Sequence, residues 1–168
     1  MTDLPHRELG GDPDNAAFSE READDQQFFV FRIGQTLLAA RPVNIDRVLP
    51  RVRPVRIPTA PSHVLGILHL QGRIITVVNL RAVLISGAPL PPRAVDARTL
   101  VLRATGGLFA TDVDQVLGLL ATHSTRLRPP ERTETNLQSA VYEAEYEAGE
   151  GLVTVLAIDR LFEEMSRG

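Results

Sequence analysis

Catalysis needs nucleophiles, proton carriers or metal ligands at workable spacing, and this sequence is sparing with all three. It has no cysteine, which removes thiolate nucleophiles, thiolate metal sites and disulfides together and fits a reducing compartment. Apart from histidine, every basic residue is arginine, so a lysine Schiff base and the lysine of a phosphate-binding P-loop are both excluded. His6, His63, His69 and His123 are scattered, without the His-x-x-x-His or glutamate-paired spacing of a helical metal site. Ser62-His63 lacks the glycine elbow that presents a hydrolase serine, and Asp112-x-Asp114 alone is thin support for a metal or an acid–base pair. The residues therefore predict no enzyme, no metal and no cofactor.

What the chain offers instead is charge for recognition. Arg41, Arg47, Arg51, Arg53 and Arg56 form a run with one compensating acid, Asp46. Interleaved aromatic residues would make this a footprint for nucleic acid. None are present, so the run reads as a solvated basic face, able to dock on an acidic partner or on the protein's own tail. That tail is residues 1–26, where eight acids stand against Arg7 and Arg21, leaving thirteen acids against sixteen arginines in the remainder. Its scattered apolar residues cannot repay the entropy of ordering, which predicts a flexible acidic segment. A signal peptide needs a basic start and an apolar stretch, and this segment has neither. No apolar run approaches the roughly 18 residues of a membrane span. The expectation is a soluble, cytoplasmic protein with no membrane insertion.

The elements that must position any binding residues are short. At 168 residues the chain has the length of one domain. With 5% aromatics and no tryptophan, its core must be built from Leu, Val, Ile and Ala. Gln27–Ile33 is an aromatic and β-branched run stopped by Gly34-Gln35, and TLLAAR follows as its hairpin partner. Pro42 suits a first helical turn, and Val43, Ile45, Val48 and Leu49 fit one face of a short helix ending at Pro50. RVRPVRIPTAP, with its three prolines, reads as a surface loop holding at most a short edge strand.

From Val64 two apolar runs meet at Gln71-Gly72, where glycine supplies the positive φ of a tight reversal, giving a second hairpin. RAVLISGAPLPPRAVDA reads as a helical turn and then a connection crossing between two parts of the domain. RTLVLRA, LFATDVD and QVLGLLA are three more strands, although Leu100, Val101 and Leu102 break the alternation of apolar and polar residues. Tyr142, Ala144 and Tyr146 alternate with three glutamates as in a half-exposed edge strand. LVTVLAI is a last strand, after which Asp159 is expected to cap a short helix. Many short strands predict a mainly β fold of small barrels or a sandwich.

The order of these pieces resembles the CheW family over about Phe28 to Phe162, nearly the whole chain after the tail. The most specific stretch is Pro61, Gly66, His69-Leu70-Gln71-Gly72, Ile74–Val78 and Asn79-Leu80-Arg81, against a family pattern of proline, glycine, an Asn-Leu-Arg-Gly turn, an apolar strand and Asp-Leu-Arg. The resemblance implies two small five-stranded β-barrel subdomains packed together, with short helices, across residues 27–165. It implies a non-enzymatic adaptor binding a CheA-type histidine kinase and the cytoplasmic tip of chemoreceptors, at membrane-associated arrays. An aspartate at the place of Asp114 implies strand-end hydrogen bonding there.

The departures fall where partners would bind. The turn arginine is Gln71, its asparagine is His69, the later aspartate is Asn79, and a glutamate frequent in the first helix is Arg47. Changing one side of an interfacial charge pair disfavours an unmodified partner. Two readings follow: a coupling protein whose partners have co-adapted, or a CheW-like module binding other regulators outside receptor arrays. A nucleic-acid-binding small barrel is the third alternative. The candidate partner-binding residues are Ile45, Arg47, Gly66, His69, Gln71 and Gly72. Gln71 is a partner contact or a solvent-exposed turn residue; Gly66 and Gly72 serve the backbone and can still line an interface; Ile45 is an exposed contact or a core position.

Overall fold

The computed structural model describes residues 25–84, 94–131 and 138–167. Ten strands form two five-stranded sheets. They are β1 (Asp25–Ile33), β2 (Thr36–Ala40), β3 (Ile45–Pro50), β4 (Val64–Leu70), β5 (Arg73–Val78), β6 (Arg98–Ala104), β7 (Gly107–Val113), β8 (Gln115–His123), β9 (Tyr142–Ala148) and β10 (Gly151–Leu156). Three short helices accompany them: α1 (Leu80–Leu84), α2 (Gln138–Val141) and α3 (Ile158–Arg167). The first sheet runs β8-β1-β2-β10-β9 and the second β3-β6-β7-β5-β4. Neither sheet closes into a full barrel: each curls into a small barrel-like subdomain, called a barrel below, in which one isolated bridge approaches closure from the segment beyond an edge strand. Arg128, after β8, bridges Glu145 of β9, and Val55, after β3, bridges Ile67 of β4.

The two halves of the chain exchange hairpins. The β1–β2 hairpin lies in the sheet of β8, β9 and β10, while the β6–β7 hairpin lies in the sheet of β3, β4 and β5. In each sheet the donated hairpin makes one antiparallel pairing and one parallel pairing, β2 with β10 and β7 with β5. A helix follows the last strand of each half, α1 after β5 and α3 after β10.

Exchange explains the broken alternation in β6. Val101 points into the second barrel with Leu68, Ile75, Val77 and Ala110. Leu100 and Leu102 point into the core between the barrels with Phe31, Leu38, Phe109 and Leu161. Both faces of the hairpin strands are buried, so they read as continuous apolar runs. β1 and β2 behave alike: Phe28, Val30, Leu37 and Ala39 fill the first barrel, while Phe31, Ile33, Leu38 and Ala40 join the central core.

Three sequence expectations are corrected. No α-helix spans Pro42 to Pro50: only Pro42–Asn44 form a 3-10 turn, and Ile45–Pro50 is strand β3, paired with β6. Apolar residues at 43, 45, 48 and 49 fit a helix face, yet β3 places Ile45 against the central core and Leu49 against the barrel interior, and pairing with β6 outweighs local preference. The connection after α1 does not cross between subdomains, because β5 and β6 share one sheet. The crossings are shorter, at Arg41–Asn44 between β2 and β3 and at Asp114 between β7 and β8. Asp159 is not a cap, since α3 already begins at Ile158; its Oδ1 accepts from the Thr105 backbone N–H at 2.6 Å instead.

Other expectations stand. Asp114 Oδ2 accepts from the Gly34 backbone N–H at 2.6 Å, a strand-end bond of the expected kind. Strand β9 lies at a sheet edge. Residues 1–24 of the acidic tail lie outside the described residues, while Asp25 and Gln26 already pair with His123 and Thr122. No helix among the described residues is long and apolar enough to cross a membrane.

Candidate partner-binding surface

Gln71 and Gly72 join β4 to β5 with φ of 49° and 79°. Positive φ at both central residues is the mark of a two-residue primed turn, whose twist matches the strands it connects. Nothing lies within 4 Å of a Cβ placed at Gly72, so its glycine is required by conformation alone. The turn projects its side chains at the end of the barrel, and there the curl brings β3 alongside. Arg47 Nη1 donates to Gln71 Oε1 at 3.0 Å.

The same guanidinium is held from behind. Arg47 Nε donates to Asp46 Oδ2 at 2.7 Å, and Asp46 Oδ1 also accepts from Arg103 Nη2. The Asp46 side chain is only 5% exposed. The hydrogen bond from Arg47 holds its carboxyl below the usual carboxylate range, with Arg103 assisting and burial opposing. Arg47 is therefore a positioned cation, pinned by a buried anion on one side and by a neutral amide on the other.

His69 and Ile74 face each other across the hairpin, His69 exposed and Ile74 71% exposed. The exposed Ile74 gives this end an apolar contact beside the polar pair. Gly66 is buried, with φ of 145°, and a Cβ there would fall 2.2 Å from the Val55 carbonyl oxygen. Its glycine lets the Val55 segment close on β4. Ile45 is half-buried and packs on the central core. The structure thus gathers Arg47, His69, Gln71 and Gly72 at one end of the second barrel, and sets Gly66 beneath the Val55 segment and Ile45 against the core between the barrels.

Sequence reasoning missed Ile74 and the Asp46–Arg103 contact. The signal for Asp46 was present, since it is the one acid in the arginine run. The run itself is not one face. Arg41 pairs with Glu143 of β9, Arg47 with Asp46, and Arg51 with Asp112 of β7. Among the described residues no group of three or more His, Asp or Glu side chains is placed to hold a metal ion.

Residues 27–166 match the family profile of the CheW-like domain. The chain belongs to the CheW-like family of chemotaxis coupling proteins. Protein FrzA of Myxococcus xanthus is 31% identical over 120 residues, spanning 70% of this CheW-like chain and 72% of FrzA. The fold is also that of the scaffolding protein TtCheW from Thermoanaerobacter tengcongensis, whose crystal structure superposes with a TM-score of 0.73. That likeness covers 95% of this chain and 94% of TtCheW at 20% identity. Set on the CheW-like pattern, positions 47 and 71 carry glutamate and arginine in the family and arginine and glutamine here. The two side chains touch, so these two departures lie side by side in this chain.

Proposed function

We propose that this CheW-like protein is a non-enzymatic, cytoplasmic scaffold that couples chemoreceptors to a CheA-type histidine kinase. Partners would be bound through the β4–β5 turn, with Arg47, His69, Gln71 and Gly72 in contact and Ile45 and Gly66 supporting them. The Arg47–Gln71 contact carries the reading: two positions taken from the family pattern as partner contacts meet side by side at an exposed end. Such a protein works by linkage, since binding kinase and receptor together makes each one's conformational equilibrium depend on the other.

The same contact also supports a second reading. Arg47 reverses the family's charge and Gln71 removes one, so the surface suits a kinase or receptor that has changed in step, or a different regulator outside receptor arrays. Capture of partners by the tagged protein from its own cells, beside Arg47→Glu and Gln71→Arg variants, separates the two. Receptors and a CheA-type kinase recovered with the native chain establish the coupling role. Their absence, or recovery with the variants alone, establishes the fold kept for another partner.

A further inference from the structure

At the other end of the second barrel, about 20 Å along β4 from the Gln71–Gly72 turn at roughly 3.3 Å per residue, lies a cleft of about 680 Å³. The ends of β1, β5 and β7, the start of β4 and the segment 51–62 wall it. Four arginines line it, Arg51, Arg53, Arg56 and Arg81, with two acids, Asp112 and Asp114. Both carboxylates are already engaged. Asp112 accepts from Thr99 Oγ1 at 2.8 Å and from Arg51 Nε at 3.2 Å, and Asp114 accepts from the Gly34 backbone N–H. Arg53 and Arg56 have no ion-pair partner among the described residues.

Arg81 is the decisive residue. Its Nε and Nη2 are shielded from solvent and have no hydrogen-bond partner among the described residues, a costly state for a cation. The guanidinium rests on Gly34, where a Cβ would fall 1.9 Å from Nη2, so only glycine leaves room for it. Nε and Nη2 form the edge of an arginine that grips two carboxylate oxygens side by side.

We propose that this cleft binds an acidic peptide through its carboxylates, with Arg81 turning from Gly34 to grip one of them. A peptide fits better than a small anion. The volume is that of a site for a ligand of many atoms, and Pro54, Ile57 and Leu65 place apolar surface among the arginines. The occupant is the chain's own residues 1–24, which carry seven acids against Arg7 and Arg21 and, being covalently attached, stand at high effective concentration beside the cleft.

The test titrates the full chain into a fluorescein-labelled peptide of alternating glutamate and leucine, read by anisotropy, with inorganic phosphate as competitor. Binding should weaken steeply with salt. It should fall at least about tenfold in an Arg53→Gln/Arg56→Gln double variant and in Arg81→Gln, and less in Arg81→Lys, which keeps the charge and loses the fork. Arg73→Gln, at the opposite end, should bind as the native chain does. Circular dichroism of the exposed Arg53/Arg56 variant guards against misfolding as the cause. Unchanged binding by that variant, or full displacement of the peptide by equimolar phosphate, overturns the proposal. Replacing the seven acids of residues 1–24 by their amides should strengthen peptide binding by at least about threefold, because the chain's own segment no longer competes for the cleft; unchanged binding overturns that segment as the occupant.

Discussion

The two barrels share one wiring and differ in what they fill it with and what they show. In the first, Phe28 and Tyr146 stack with ring centroids 5.7 Å apart, and the edge strand β9 presents Glu143 and Glu147, which pair with Arg41 and Arg128. In the second the interior is aliphatic, and the outer surface carries positioned or unpaired arginines with exposed Ile74. The first barrel's charges largely satisfy one another. In the second, Arg47, Arg51 and Arg103 share Asp46 and Asp112 while Arg53 and Arg56 have no ion-pair partner among the described residues, and both sites described above lie largely on it. A shared topology therefore constrains the interior and the strand junctions, while surface chemistry is free to diverge.

The sharpest way to break this comparison is to attack the core both barrels share. Leu100 is fully buried between them, so Leu100→Ala should cost about 2–5 kcal/mol. Denaturant unfolding should remain one transition by circular dichroism and by tyrosine fluorescence, whose two reporters both lie on β9. Separate transitions by the two probes would show that the barrels unfold independently despite the exchanged hairpins.

Two glycines test the barrels separately. Gly66→Ala in the second adds a steric overlap with Val55 to backbone strain at φ 145°. Gly151→Ala in the first meets open space at φ 127° and should cost only the strain, about 1–3 kcal/mol. Gly66→Ala should exceed it in the same unfolding assay. Equal losses would mean that the Val55 bridge gives way at little cost.

Asp46→Asn probes the buried anion behind Arg47 and should cost about 1 kcal/mol, since its partners are partly exposed and screened. The folded protein holds this carboxyl below its ordinary value. Its contribution is therefore present above the unfolded value of about 3.9 and lost as pH falls through the folded one. The stability gap between native chain and variant should be flat at neutral pH and close below about pH 4. The smallest expected effect is that of Ile74→Ala, within about 0.5 kcal/mol for a surface site, although partner capture should drop.

What the sequence made legible was what has a local chemical signature. Gln71-Gly72 could be read because positive φ leaves few residue choices, and β9 because its tyrosines and glutamates alternate. Strand β3 was misread because four apolar residues over seven positions satisfy a helix face and a strand alike, and only pairing with β6 decides between them. Exchange of hairpins was hidden because its crossings occupy Arg41–Asn44 and Asp114, with no glycine or proline cluster to mark the second. At the candidate site, the individual residues were legible from resemblance, whereas the Arg47–Gln71 contact was not. It joins positions on opposite edges of the sheet's pairing order, and curvature is a property of no single strand.

Hairpin exchange also sets a timetable for synthesis. When the ribosome has finished β2 at Ala40, both neighbours of the β1–β2 hairpin in its own sheet are still untranslated, the nearer beginning at Gln115. At about 5–20 residues per second that interval lasts about 4–15 s. Throughout it a ribbon bearing Phe28, Val30, Phe31, Leu37 and Leu38 has apolar groups on both faces and open hydrogen-bonding edges. The nascent chain, more than the finished protein, is where this architecture most needs a chaperone's cover.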